Sequence, residues 1–420
     1  MISKYTQTNG LTVLLEPIES SASVSVGIWL KAGSRNETKE EYGYAHLVEH
    51  MLFKGTSQRS AKEIARLVDR VGGQHNAATN REYTCYYISI SAEHLELALD
   101  ILSDMYFDSI FDSEELEKEK NVVIEEIKMY EDTPDEYIHD IFIEKMQAGH
   151  PLSHSILGTK EGISKTTREK LVKFFKRHYF PSNTIVSIAG KFIPEETKIL
   201  LEKYFGKTVE QSTDIHTEKP FEVNIMGEVH IDRDLEQTHF IMGLPGLKRN
   251  DDDRWTMLAL STILGGSMSS RLFQKIREDE GLCYSIYSFN SSFSDLGTFG
   301  IYCATSQTKF KKAVNIIVDE CRRLFNNGIT EEELNDAKTF LKGNLALSFE
   351  SNEVRMSQLA KNEIVYGQYF TFDEIANQIK LVTSDDFVRV CQRLFQNRRM
   401  SIISLGKLKS ADKKNLELQL

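Results

Sequence analysis

Cysteine is sparse in this chain, and its spacing offers no pairing. The five residues Cys85, Cys283, Cys303, Cys321 and Cys391 are odd in number and contain no C-x-x-C. That argues against both a disulfide framework and a thiolate zinc site, and it fits a reducing compartment. Proline is also scarce, at 7 of 420 residues, while hydrophobic residues make up 40%. A long disordered arm is therefore not expected. No apolar run reaches the roughly 18 residues of a membrane-spanning helix. A basic surplus is missing too: 51 Lys and Arg stand against 62 Asp and Glu, a formal net charge of −11. That balance disfavours a nucleic-acid partner and mildly favours basic or neutral ones. The first residues read as a strand, a turn at Asn9-Gly10 and a second strand. Neither a secretory signal nor an Arg-rich presequence is expected there, so the expected compartment is the cytoplasm.

A length of 420 residues exceeds what one core usually supports, and internal repeats show how it divides. Ile188-Ala-Gly190-Lys191-Phe192 closes an apolar strand beginning near Thr184, and Ser404-Leu-Gly406-Lys407-Leu408 closes another beginning near Met400. The two glycines stand 216 positions apart. Phe111-Asp-Ser-Glu-Glu-Leu116 matches Ile329-Thr-Glu-Glu-Glu-Leu334 at an offset of 218. Val24–Leu30 matches Thr238–Leu244 at 214. Matches that hold register this closely indicate a duplication. The expected domains are residues 1–206 and 221–420, joined by a polar linker at 207–220. Within the first, Val24 to Leu30 and Thr84 to Ile90 read as strands, and Ala61 to Val71 has helical spacing. The expected fold class is α+β: two homologous halves, each a mainly antiparallel sheet with helices packed on one face.

The stretch Gly43-Tyr-Ala-His46-Leu-Val-Glu49-His50-Met-Leu-Phe53 reads as an apolar helix carrying three polar groups. At 3.6 residues per turn, His46 and His50 share a face and Glu49 lies beside them. Two imidazoles one turn apart can chelate one Zn²⁺, and the carboxylate can accept a proton from water bound to it. This is the zinc-helix pattern with its acid moved next to the second histidine. The alternative, histidines satisfied in an apolar core, would bury several polar groups at about 1–3 kcal/mol for each left unpaired. A third ligand is sought in Glu115–Tyr130, where Glu119 and Glu126 lie two turns apart on one face. Val122 and Val123 between them mark that face as the buried one, although either glutamate could be a solvated helix residue. Setting Leu116 on Leu334 places Glu119 opposite Ala337 and Glu126 opposite Asn344. Near Ala259, Leu-Ser-Thr-Ile-Leu264 replaces the His-Glu-His motif. The second half keeps the fold and lacks the metal groups.

These residues closely resemble the pitrilysin/insulysin family of zinc peptidases, in particular its two-domain branch near mitochondrial processing peptidase and its bacterial homologues. The resemblance covers essentially the whole chain and rests on Gly43 to Thr56 with a glutamate 76 positions after His50. It implies that His46, His50 and Glu126 bind one Zn²⁺, that Glu49 is the general base, and that Glu119 orients the site. It also implies that Gly72-Gly73-Gln-His-Asn76-Ala77-Ala-Thr79 leads into an edge strand at the active site, with Asn76, Ala77 and Phe53 binding substrate. Asn76 reads equally well as a turn residue. In the second half, Ser269 to Ser285 is similar to the family's Arg…Tyr segment, which implies that Arg277 and Tyr284 reach the substrate and the developing oxyanion. The activity implied is metalloendopeptidase cleavage of peptides or extended unfolded segments in a dimeric chamber. A homodimer is expected because one chain carries both the metal motif and the Arg/Tyr pair. The catalytic subunit of a heterodimeric processing peptidase is the rival reading. Nucleic acid and membrane insertion are not expected.

Overall fold

The computed structural model describes residues 2–209, 223, 227–395, 399–409, 416 and 418–420. The first half opens with β1 (Ser3–Thr6), β2 (Thr12–Pro17), β3 (Ser23–Leu30), α1 (Tyr44–Leu52) and α2 (Ala61–Asp69). It continues with β4 (Gln74–Thr79), β5 (Thr84–Ser91), α3 (Leu95–Asp108), α4 (Ser113–Glu131) and α5 (Pro134–Met146). It ends with α6 (Lys160–Ser164), α7 (Arg168–His178), β6 (Thr184–Gly190) and α8 (Pro194–Phe205). The second half runs β7 (Glu228–Ile231), β8 (Thr238–Pro245), α9 (Arg254–Gly265), β9 (Cys283–Ser292), β10 (Gly297–Thr305) and α10 (Phe310–Asn327). Then follow α11 (Glu331–Ser348), α12 (Asn352–Tyr366), α13 (Phe372–Leu381), α14 (Ser384–Phe395) and β11 (Ser401–Leu405). Among the described residues, no helix is long and apolar enough to cross a membrane.

The two halves build sheets on one plan, as the repeat predicts. Strand order is β1-β2-β6-β3-β5-β4 in the first and β7-β11-β8-β10-β9 in the second. Each sheet contains one parallel pair, β2 with β6 and β7 with β11. The other pairs are antiparallel. Val24, Val26, Ile28 and Leu30 do alternate toward one face, where they join a core built with α1, α2, α3, α4, α7 and α8. The second sheet buries Phe240, Met242 and Leu244 in the same way against α9, α10 and α14.

The structure adds a helix on the opposite face of each sheet, and this helix comes from the other half of the sequence. Contacts divide the described chain into two compact units, Met1–Met129, His154–Glu218 and Leu347–Phe370 in one, Tyr130–Ser153, Lys219–Ala346 and Thr371–Leu420 in the other. Units and contiguous halves therefore differ at α5 and α12. Helix α12 lies on β3 and β6, where Met356, Leu359 and Ala360 cover Trp29, Leu14 and Ile185. Helix α5 lies on β8 and β11, where Ile138, Ile141 and Phe142 cover Ile241, Tyr302 and Ile403. Burying each large apolar side chain is worth about 1.5–3 kcal/mol, which explains why β3 is buried on both faces. Two glycines make the approach possible. A Cβ at Gly27 would collide with Met356, and one at Gly243 with Phe142. From residue 210 onward, the expected linker lies outside the described residues.

Candidate functional site

Helix α1 begins at Gly43, whose φ of 93° suits glycine. Its open N-terminal donors are met by a buried carboxylate. Glu37 accepts the Gly43 N–H at 3.0 Å and the Ala45 N–H at 2.7 Å. His154 Nε2 lies 3.0 Å from the same carboxylate, with its ring stacked on Tyr42 at 3.8 Å. Burial raises the Glu37 pKa, against the bonds from His154, Ala45 and Gly43 that lower it. Tyr44, Leu47, Val48, Met51 and Leu52 enter the core, which leaves His46, Glu49 and His50 to a polar face.

Helix α4 supplies the carboxylates to that face. Leu116, Glu119, Lys120, Val123 and Ile127 turn inward. Val122 does not: it is 48% exposed, so the expectation that it shares the buried face is corrected. The buried stripe runs through Val123, and Val122 lies about 100° away around the helix.

His46 Nε2 and His50 Nε2 lie 3.7 and 3.6 Å from the same oxygen, Glu126 Oε2. Ligand atoms from all three residues lie within 4.8 Å of one another. The histidine–carboxylate spacings are too long for hydrogen bonds. They approach the edge of about 3.3–3.5 Å that a tetrahedral zinc site with 2.0–2.1 Å bonds requires. Glu119 Oε2 stands 2.9 Å from His50 Nδ1, and Glu119 Oε1 stands 2.6 Å from Lys54 Nζ. Engaging Nδ1 in this way turns Nε2 toward Glu126, as an outer partner of a metal-binding histidine does. His46 Nδ1 is buried and has no hydrogen-bond partner among the described residues.

The electrostatics suit a cation. Burial first, and then neighbouring His50, push His46 down to about 3, so its imidazole is neutral, the form that binds metal. For His50, burial lowers the pKa, but the Glu119 bond and the charges of Glu126 and Glu49 outweigh it and raise the pKa. Burial raises Glu126, with His50 opposing. Glu119 is lowered despite its burial, because His50 and Lys54 bind it. Burial also raises Glu49, against donation from Thr79 and the charge of His50. The Thr79 hydroxyl donates to Glu49 Oε2.

Thr79 ends β4, an edge strand that among the described residues pairs with β5 alone. Ala77 and Phe53 are half-buried against the core, with Phe53 beside His75 and Tyr86 at ring separations of 5.6 and 6.1 Å. Asn76 is exposed and sits opposite Tyr87 in the ladder, whereas Ala77 sits opposite the core residue Tyr86. Strand alternation therefore turns the Asn76 side chain to the face away from Ala77 and Thr79.

Arg277 and Tyr284 meet in the second unit. The guanidinium carbon lies 4.6 Å from the Tyr284 ring centroid and 4.7 Å from that of Phe273. Arg277 belongs to a π-helical turn, Phe273–Asp279, a form that recurs at functional sites. Between β9 and β10, Ser285 pairs with Ala304 and Cys283 with Thr305. Tyr284 is thus the extra residue of a β-bulge, which projects it from the ladder to 77% exposure.

Three residues of the site went unforeseen in the sequence. Lys54 could have been found, being one turn past His50. Thr79 could also have been found, since it shares alternation with Ala77. Glu37 carries no local signal, because its role depends on the close approach of His154.

Known proteins resemble this chain throughout. Residues 12–160 match a family model described as Insulinase (Peptidase family M16), and residues 165–341 match one described as Peptidase M16 inactive domain. An uncharacterised zinc protease of Bacillus subtilis, YmxG, is 41% identical, over 96% of this chain and 98% of its own. One of Streptomyces coelicolor is 36% identical, over 97% of this chain and 90% of its own. The crystal structure of a protease from Helicobacter pylori superposes with a TM-score of 0.88 at 24% identity, covering 97% of this chain and 99% of that one.

Proposed function

The chain belongs to the insulinase family of peptidases, family M16, and from that membership we propose that it is a zinc-dependent endopeptidase acting on peptides or extended unfolded segments. Zinc protease is the activity that its relatives' names carry. The observation that supports the reading most is the gathering of His46 Nε2, His50 Nε2 and a Glu126 oxygen, at spacings that suit a shared cation and not a mutual hydrogen bond. His46, His50 and Glu126 would hold one zinc ion. Bound there, zinc supplies a Lewis acid that polarises the scissile carbonyl and lowers the pKa of water toward about 7.

The chain's own groups do the rest. Glu49, its pKa raised by burial, takes a proton from the attacking water and returns it to the leaving amine. Glu119 holds His50 in place and is itself held by Lys54. Arg277 and Tyr284 donate to the oxyanion of the tetrahedral intermediate. The open edge of β4 takes the substrate as an added strand, which reads extension more than side-chain identity. Two copies of the chain form the working enzyme, each giving its Arg277 and Tyr284 to the other's zinc-bearing half and enclosing a chamber that admits processing-type extended segments. The match of residues 165–341 to an inactive domain fits a second half without zinc ligands.

The test is hydrolysis of a quenched unfolded peptide by the purified chain, with a chelator added, then zinc, beside Glu49→Gln. Cleavage that the chelator abolishes, zinc restores and the variant lacks supports the reading. A zinc-loaded dimer that cleaves nothing in a broad peptide set sinks it. Sedimentation of the same sample decides between homodimer and monomer.

A further inference from the structure

The general base assigned above is tied to the substrate-binding strand by one residue. Asn80 donates its N–H inward to Tyr83 O at 2.7 Å. Alternation along an antiparallel strand therefore points the N–H groups of residues 75, 77 and 79 toward the open edge of β4. One of these amides is engaged locally. The Ala77 N–H is held by the Oδ1 of its neighbour Asn76 at 2.9 Å, a local exposed contact that an incoming carbonyl can replace. The Thr79 hydroxyl donates to the Glu49 carboxylate. No other donor to Glu49 is present among the described residues.

We propose that Thr79 is a positioning residue for Glu49, acting through its hydroxyl. Three side-chain torsions leave a glutamate on a helix face with many orientations. A hydroxyl donor fixed on a hydrogen-bonded strand selects one of them before substrate arrives, which is the preorganisation that proton transfer requires. This inference rests on the peptidase reading of the site.

Thr79→Val keeps the β-branched shape that an edge strand tolerates and removes the hydroxyl. In the zinc-loaded full chain, kcat is expected to fall about 10- to 100-fold, the loss of one charge-assisted bond. KM should stay within about twofold, because the change acts on the chemical step and not on uniform binding. Thr79→Ser, which retains the donor, should recover kcat to within about threefold of the wild type. Zinc content and melting temperature should match the wild type in both variants. A second readout needs neither metal nor turnover. In the metal-free, ¹⁵N-labelled protein, the residue 79 amide resonance should move in Glu49→Gln, where a neutral amide replaces the carboxylate that the Thr79 hydroxyl binds. Unchanged kcat in Thr79→Val, a raised KM alone, or no rescue by serine would each overturn the proposal, as would an amide that does not move. A wild-type chain that cleaves nothing sinks the peptidase reading, while the amide shift still decides the contact between Thr79 and Glu49.

Discussion

Helices α1 and α9 hold equivalent places in the duplicated fold, α1 after β3 and α9 after β8, and their inward faces are chemically opposite. At the strand offset of 214, His46, Glu49 and His50 correspond to Leu260, Ile263 and Leu264, all three buried in the second core. The long helices differ to match. Glu119 corresponds to buried Ala337, and Glu126 to Asn344. Three of the polar groups on the first face have partners: Glu119 for His50, Lys54 for Glu119, and Thr79 for Glu49. Without partners, each would cost about 1–3 kcal/mol. The second half loses those partners together with the groups they serve, and apolar packing fills the space. The helix starts differ as well. Glu37 and His154 hold that of α1, while Asp251 and Asp253 beside α9 are bound by Arg393 and Arg389.

The contrast can be broken most sharply at the base. Glu49→Gln should lower kcat about 10²- to 10⁴-fold, with zinc content and melting temperature unchanged. Ile263→Gln, at the equivalent place, should instead lower the melting temperature and leave zinc binding intact, since it buries an unpaired amide at about 1–3 kcal/mol. Grafting the motif tests the role of the partners. A chain carrying Leu260→His, Ile263→Glu and Leu264→His should still bind one zinc by calorimetric titration and should be less stable by several times that cost, about 3–9 kcal/mol in all. A second bound zinc would refute the claim that the second half lacks the partners such a site needs. Glu119→Gln should weaken zinc binding about 10- to 100-fold in a chelator competition.

The smallest effect concerns acid. Arg393 above all holds Asp251 below the usual carboxylate range, and Arg389 above all holds Asp253 there. A carboxyl whose folded pKa is depressed stabilises the fold above its unfolded pKa of about 3.9, and that stability is lost as pH falls through the folded value. Glu37 has the opposite sign, because burial raises its folded pKa and protonation favours the folded state. As pH falls below about 4, hydrogen exchange should therefore quicken at the start of α9 before it does at the start of α1. The reverse order would refute this account of the two helix starts.

Several features were legible in the sequence because they depend on short-range geometry. The spacing of His46, Glu49 and His50 is one helical turn, and the alternation of Val24 to Leu30 is the pleat of a strand. The register between Gly190 and Gly406 exposed the duplication. Two helix faces of fixed periodicity set His46 and His50 toward a glutamate of α4 but left Glu119 and Glu126 both open, and the family resemblance chose Glu126.

Other features had no local signature. Alternation identifies a buried face but not the element that buries it, so nothing in Pro134–Met146 or Asn352–Tyr366 says that α5 and α12 serve each other's sheets. The exposure of Val122 depends on which side of α4 meets the core, and the projection of Tyr284 depends on a bulge against β10. The sequence by itself determined the repeat, through matches that hold one register, and the shared face of His46, Glu49 and His50, through the pitch of a helix. The tertiary structure alone decided how Glu37, Lys54 and Thr79 hold those groups, because their partners are side chains and amides brought close only by folding.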